Sequence, residues 1–357
     1  MIEIDDTRNY SDFKKITFSG YKKNDVLTAL FKSIKSKNIE TSCNWLIECI
    51  ISGYIKELWE KLCLYYSKNI HINNCKLIDY TYKQNRIIQK IILNKTNQEL
   101  IDLRNDQTLI NIMISYIVIL IDSSIDIIYS NIKINKTDFI LSNVQNKLNS
   151  QMNILPEGIV NINEPAEIKL IINEIYYHIS FKNYDKIIYW IIWILEWEKL
   201  NLKNKISWNI VARNVDVKNK YKNDVIWIIW DLINFSKKKY DKKIINYIDK
   251  LYKLFIENYD KSKRNKRMTY IYNCISLLTE KLNEKCLITK LDILIQSQCK
   301  YYMIIESKKI HEKKNDVIKT EIVTKPLSKK QIKKQCDEIS KSKLNDFNEL
   351  DKIINFS

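Results

Sequence analysis

Two dense groups of basic side chains stand out in the second half of this sequence. Lys237, Lys238, Lys239, Lys242 and Lys243 begin one expected helix. Lys261, Lys263, Arg264, Lys266 and Arg267 fill the loop expected before another, and Tyr240 and Tyr270 flank the two groups. Positive charge at this density suits contact with a phosphate backbone, where each neutralised phosphate releases condensed counterions. The chain of 357 residues carries a net charge of +17, with an isoelectric point near 9.2. A polyanionic partner, DNA above all, is the expectation. The same residues also read as an ordinary solvated lysine-rich surface. Lys329, Lys330, Lys333 and Lys334 form a weaker third group.

The tryptophans offer a second chemistry. Trp190 and Trp193, and again Trp227 and Trp230, place indoles three positions apart, which on a helix is one face. Such a pair could stack single-stranded bases. The isoleucines around them favour the alternative, a stripe where helices pack. Trp45, Trp190, Trp193, Trp227 and Trp230 are therefore assigned to the core, and Trp197, beside Lys199, is expected to be the most exposed.

Other chemistries are excluded or weak. A phosphate-binding loop needs clustered glycines so that backbone amides can wrap the phosphates. The only glycines are Gly20, Gly53 and Gly158, far apart, and a dinucleotide fingerprint fails for the same reason. Cys63, His71 and Cys75 share one short span, but no fourth ligand has zinc spacing. They read as buried thiols beside a surface histidine. No serine sits in a Gly-x-Ser-x-Gly elbow. Glu48 with Glu57, and Glu196 with Glu198, read as surface charges on helices rather than as acid and base. No metal or cofactor is expected, and the chain is read as not an enzyme.

Eight cysteines without a Cys-x-x-Cys pair, and an acidic, polar beginning MIEIDDTRNY, suggest free thiols in an intracellular, reducing compartment. The most apolar run, 109–121, is too short and too interrupted to span a bilayer, so no membrane is expected.

These side chains need elements to position them. No run combines strand alternation with hairpin turn residues, so the expected fold is all-α. With 3 glycines and 3 prolines, boundaries must be read from Asn, Asp, Ser and Lys. Residues with GC-rich codons are scarce, which points to an AT-rich gene. Residues 33–50 read as a helix end, a Lys37-Asn38 turn and a second helix centred on Trp45. The pattern returns at 178–195, aligning Lys37 with Lys182, Asn38 with Asn183, Glu40 with Asp185 and Trp45 with Trp190. The chain is thus read as two related multi-helix halves built on a repeated helical hairpin. The expected domains are 1–141, a linker at 142–163, a second helical domain at 164–305, and a lysine-rich, partly disordered tail at 306–357. Further helices are expected near 54–67, 77–84, 87–93, 99–103, 105–123, 205–211, 223–235, 240–259, 268–282, 288–305 and 329–339.

Residues 25–74 resemble a known region. Leu30, Ser33-Ile34, the following turn, Glu40 and Cys43-Asn44-Trp45-Leu46 are similar to the C-terminal helical collar of clamp-loader-like AAA+ ATPases. The type is the replication-associated recombination protein A, related to the Werner-helicase-interacting ATPase, which carries a Tyr-Trp-Leu core after a similar helix and turn. The likeness covers about one seventh of the chain. It departs at Lys68-Asn69-Ile70-His71, where the family is more acidic, and the ATPase module is missing. The Lys- and Asn-rich style, with Arg104-Asn105-Asp106, also resembles uncharacterised proteins shared among large nucleocytoplasmic DNA viruses. The resemblance implies a collar-type or oligomerisation module near replication machinery, without ATP hydrolysis of its own. Replication proteins, DNA and self-association through helices are the implied partners. A viral protein would work in the host cytoplasm, a replication factory or the virion. The alternative is a structural or scaffold protein that associates through helical faces and ignores nucleic acid.

Overall fold

The computed structural model describes residues 4, 6, 8–125, 132–206, 208–282 and 308. Among them the fold is all-α, with twelve α-helices and no β-strand. One isolated bridge, Ile16 with Lys22, closes the lead-in to the first helix. The helices expected at 288–305 and 329–339, the lysines at 329–334, and all of the tail except Lys308 lie outside the described residues.

The described residues form two compact units, 4–63 with 84–124 and Lys308, and 64–83 with 125–282. The expected linker at 142–163 thus belongs to the second unit, as does 64–83, which was expected with the N-terminal part.

The first unit is built on α1 (Lys23–Lys35), α2 (Ile39–Ile51), α3 (Ile55–Tyr65) up to Cys63, α4 (Lys76–Ile92) from Gln84, α5 (Asn97–Asp102) and α6 (Gln107–Asp122). Helix α6 buries Leu109, Ile110, Met113, Ile114 and every residue from Tyr116 to Ile121. A helix apolar nearly all round has to lie inside, and α1 and α2 pack against it. Asp106 starts it by accepting the Leu109 N–H at 2.9 Å. Helix α4 is continuous, where two short helices were expected. Its buried stripe runs through polar Thr81 and Asn85, which breaks the apolar periodicity. Asn85 is drawn inside because its Oδ1 accepts the Trp59 Nε1–H at 2.8 Å.

The second unit holds α7 (Leu141–Gln145), α8 (Ala166–Ser180), α9 (Tyr184–Lys203), α10 (Ile226–Ser236), α11 (Lys242–Ile256) and α12 (Lys261–Thr279). Residues 149–155 are laid along α8 by two adjacent side chains. Glu174 accepts the Asn149 and Ser150 N–H groups at 3.0 and 2.6 Å. Asn173 accepts those of Ile154 and Leu155 at 2.9 and 3.0 Å. Of the helix expected at 205–211, the described residues 205, 206 and 208–211 are irregular chain instead. Arg213 pins this loop, forking onto both oxygens of buried Glu164 at 2.8 and 2.9 Å and reaching Asp231 at 2.9 Å.

The α1–α2 and α8–α9 hairpins turn in the same way. Lys37 N–H donates to the Ile34 carbonyl and Asn38 N–H to the Ser33 carbonyl, both at 3.1 Å. Lys182 N–H donates to Ile179 at 3.1 Å and Asn183 N–H to His178 at 3.0 Å. Asn38 and Asn183 then cap the next helix. The pivots, Lys37 at φ 60° and Lys182 at φ 55°, are left-handed. Glycine usually fills this position, because any other side chain crowds the backbone there. Lys37→Gly and Lys182→Gly are each expected to raise unfolding free energy by about 0.5–1 kcal/mol. Urea denaturation would show this as a higher midpoint at unchanged slope, and a lower midpoint would refute it.

Candidate nucleic-acid interface

The ten basic residues lie around one helical hairpin in the second unit. Helix α10 ends at Ser236 and a single 3-10 turn, Lys237–Lys239, follows. Asp241 then caps α11, accepting the Ile244 N–H at 2.9 Å. After α11, Asp260 caps α12 by accepting from the Ser262 and Lys263 N–H groups at 2.8 and 3.1 Å. The second basic group therefore occupies the first two turns of α12, not a loop. The hairpin is antiparallel. Near its turn Arg267 donates to the carbonyls of Phe255 and Glu257 at 2.8 and 2.5 Å. At the other end the Tyr240 hydroxyl donates to the Leu278 carbonyl. The two basic groups thus stand at opposite ends of α11, about 22 Å apart at the helical rise per residue.

The first group remains on the surface. Lys238, Lys239, Lys242 and Lys243 are exposed. Lys237 is half-buried and held by Asp249 and by Asn234 Oδ1, the latter at 2.8 Å. Lys239 reaches the Tyr176 hydroxyl at 3.2 Å, and Lys238 lies 5.6 Å over the Phe235 ring. The C-terminal end of α10 favours cations here, since the last carbonyls of a helix point a partial negative charge outward.

The second group is largely turned inward. Arg264 is 3% exposed, and its guanidinium bridges Glu198 and Asp224 at 2.6 Å each. Arg267 is 6% exposed and saturates the carbonyls that end α11. Both were expected to touch nucleic acid, and neither faces solvent. Lys261 is tied to Glu198 at 3.1 Å, and half-buried Lys263 reaches the Asn258 carbonyl at 3.4 Å. Lys266 is exposed.

Trp45, Trp190, Trp193, Trp227 and Trp230 all lie in the core. The Trp227 indole donates to the Tyr221 carbonyl at 2.7 Å, and that of Trp193 to the Asp138 carbonyl at 2.9 Å. None of the five offers a free face to a base. Trp197 is half-buried, stacked on Trp193 at 5.4 Å with Phe139 alongside.

His71 is fully buried rather than on the surface. Its Nδ1 accepts the Ile72 N–H at 2.7 Å, which leaves the proton on Nε2, 3.4 Å from Ser276 Oγ. In that tautomer the ring cannot take the Ser276 proton, so the pair is not a nucleophile and its base. Burial pushes the His71 pKa down to about 4. Glu48 and Glu198, read as surface charges, are both buried. Glu48 accepts from Ser19 N–H and Oγ–H, both at 2.7 Å, and pairs with Lys308. These contacts hold its carboxyl below the usual range despite burial.

Among the described residues no group of His, Cys, Asp and Glu could hold a metal ion, and no helix is long and apolar enough to cross a membrane. No family model, no curated protein and no solved structure matches the chain.

Proposed function

We propose that this protein is a non-enzymatic helical accessory factor of DNA replication or repair. It contacts the phosphate backbone through Lys238, Lys239, Lys242 and Lys243. The observation that carries this reading is the placement of these four exposed lysines on one short turn and the following helix start. Contacts of this kind are indifferent to base sequence and fade with salt. The likeness of residues 25–74 to a clamp-loader collar supports the link to replication. Fluorescence anisotropy with single- and double-stranded oligonucleotides between 50 and 200 mM salt tests it. Changing all four lysines to glutamine is expected to reduce the slope of log affinity against log salt by about 3 to 4. The triple variant Lys261→Gln, Lys263→Gln, Lys266→Gln is expected to change it less. Absence of binding at the lowest salt would refute the reading.

A second reading, a scaffold associating through helical faces, is favoured by the separation of the two basic groups. A self-associated species in light scattering, unchanged by added DNA, would establish it instead.

A further inference from the structure

The run Arg104-Asn105-Asp106 in the first unit does three separate things. Asp106 caps α6. Asn105 pairs with the backbone of Ile4 in both directions, accepting its N–H at 2.9 Å and donating to its carbonyl at 3.1 Å. Arg104 is 3% exposed, and its Nε donates to the Ile101 carbonyl at 3.1 Å. Its two terminal nitrogens, both buried, have no hydrogen-bond partner.

The nearest carboxylate does not answer them. Asp6 lies 3.4 Å from Arg104 Nη1, but Arg8 already claims it. Arg8 Nε reaches both Asp6 oxygens at 3.0 and 2.8 Å, its Nη2 stands at 2.6 Å, and its backbone N–H donates at 2.9 Å. Both guanidinium groups rest on the Phe13 ring, 4.9 Å from Arg8 and 5.6 Å from Arg104. Two cations share one anion, and the more deeply buried of them is the one left short. A buried guanidinium whose terminal N–H groups lack acceptors is a costly arrangement. A tetrahedral oxyanion offers several acceptors to the two unsatisfied nitrogens at once, matching the planar fork.

We propose that Arg104 is the centre of a phosphate-binding site, and that the Asp6 carboxylate is its internal competitor. The ligand is free phosphate or a phosphate ester. It enters as Ile4 and Asp6 move away from Asn105 and Arg104, and it replaces the partial service of Asp6 with full hydrogen bonding to Arg104. The site lies in the first unit and does not involve the lysines of the second.

The test is a titration of the full chain with inorganic phosphate at constant ionic strength, balanced with chloride and followed by thermal midpoint and calorimetry. Phosphate is expected to stabilise the wild type and to have no effect on Arg104→Met. Asp6→Asn removes the competing charge and is expected to bind phosphate about five- to tenfold more tightly than the wild type. Should Arg104→Met fail to fold, Asp6→Asn alone decides the matter. Equal phosphate responses in wild type and Arg104→Met, or no tightening in Asp6→Asn, would overturn the proposal. A similar gain with a nucleoside monophosphate places recognition on the phosphate alone, whereas a larger gain assigns an ester as the natural ligand. Glutamine at the four exposed lysines is expected to leave this response unchanged, so failure here and failure of DNA binding are separable.

Discussion

Arg264→Leu is expected to lower the unfolding free energy by about 3–5 kcal/mol, the range for removing one partner of a buried ionic group. Arg264 stands between Glu198 and Asp224 at 2.6 Å from each, and all three are nearly without solvent. Asp224 also accepts the Tyr259 hydroxyl at 2.9 Å and the Ile226 N–H at 3.1 Å, so it keeps partners when the guanidinium goes. Glu198 keeps only half-exposed Lys261 at 3.1 Å. Most of the loss should therefore trace to Glu198, left buried with its counter-charge gone. The double variant Arg264→Leu, Glu198→Leu is expected to recover a large part of it, because apolar groups of similar volume can replace a buried pair at little cost. Urea denaturation of the two variants measures the difference. A single variant losing less than about 1 kcal/mol would show that the bridge does not hold these helices together. If Arg264 is structural, a folded conservative variant should bind DNA with an unchanged salt slope.

The second large effect is set by acid. His71 has a pKa of about 4 in the folded protein against 6.5 when free. The unfolded chain takes up its proton first as pH falls, so protonation favours unfolding. The contribution of His71 is complete above pH 6.5 and is lost progressively between pH 6.5 and pH 4. Over that window about 3 kcal/mol is at stake, at 1.36 kcal/mol per unit. The carboxylates whose pKa is held down, Glu48 and Glu174 among them, lose their contribution at lower pH, below the ordinary carboxylate range. The two windows are thus distinct. His71→Asn offers an acceptor for the Ile72 N–H at a backbone φ of 55°. It is expected to flatten the stability profile between pH 6.5 and 5 while leaving the steeper loss below pH 4.5. An identical slope in wild type and His71→Asn would refute this assignment.

Much of this fold is legible in the sequence. The apolar density of α6 and the isoleucine-tryptophan faces of α9 and α10 announce buried helices, and the absence of strand alternation excludes a sheet. The failures at α12 and α4 share one physical cause, polar residues inside. The buried face of α12 runs through Arg264, Arg267, Ile271, Cys274, Ile275 and Leu278. This is helical spacing, but its first two members are charged, so the helix reads as starting at Met268 and its arginines read as a basic loop. Thr81 and Asn85 hide α4 in the same way. What decides such cases is a partner distant in sequence, Trp59 for Asn85, or Glu198 and Asp224 for Arg264. Spacing alone carries no trace of it. The lysines at 238–243 were legible because a long flexible side chain keeps its charged end in water.

The left-handed pivots have a further consequence. Six non-glycine residues among those described hold positive φ: Lys37, His71, Asn94, Lys182, Lys205 and Asn258. Every codon for lysine, asparagine or histidine lies at least two base changes from a glycine codon. A single change at a lysine or histidine codon can give asparagine, which adopts positive φ more readily than most residues. One-step mutation therefore reaches the partial relief of asparagine but not the full relief of glycine. A designer who writes both bases at once reaches glycine directly.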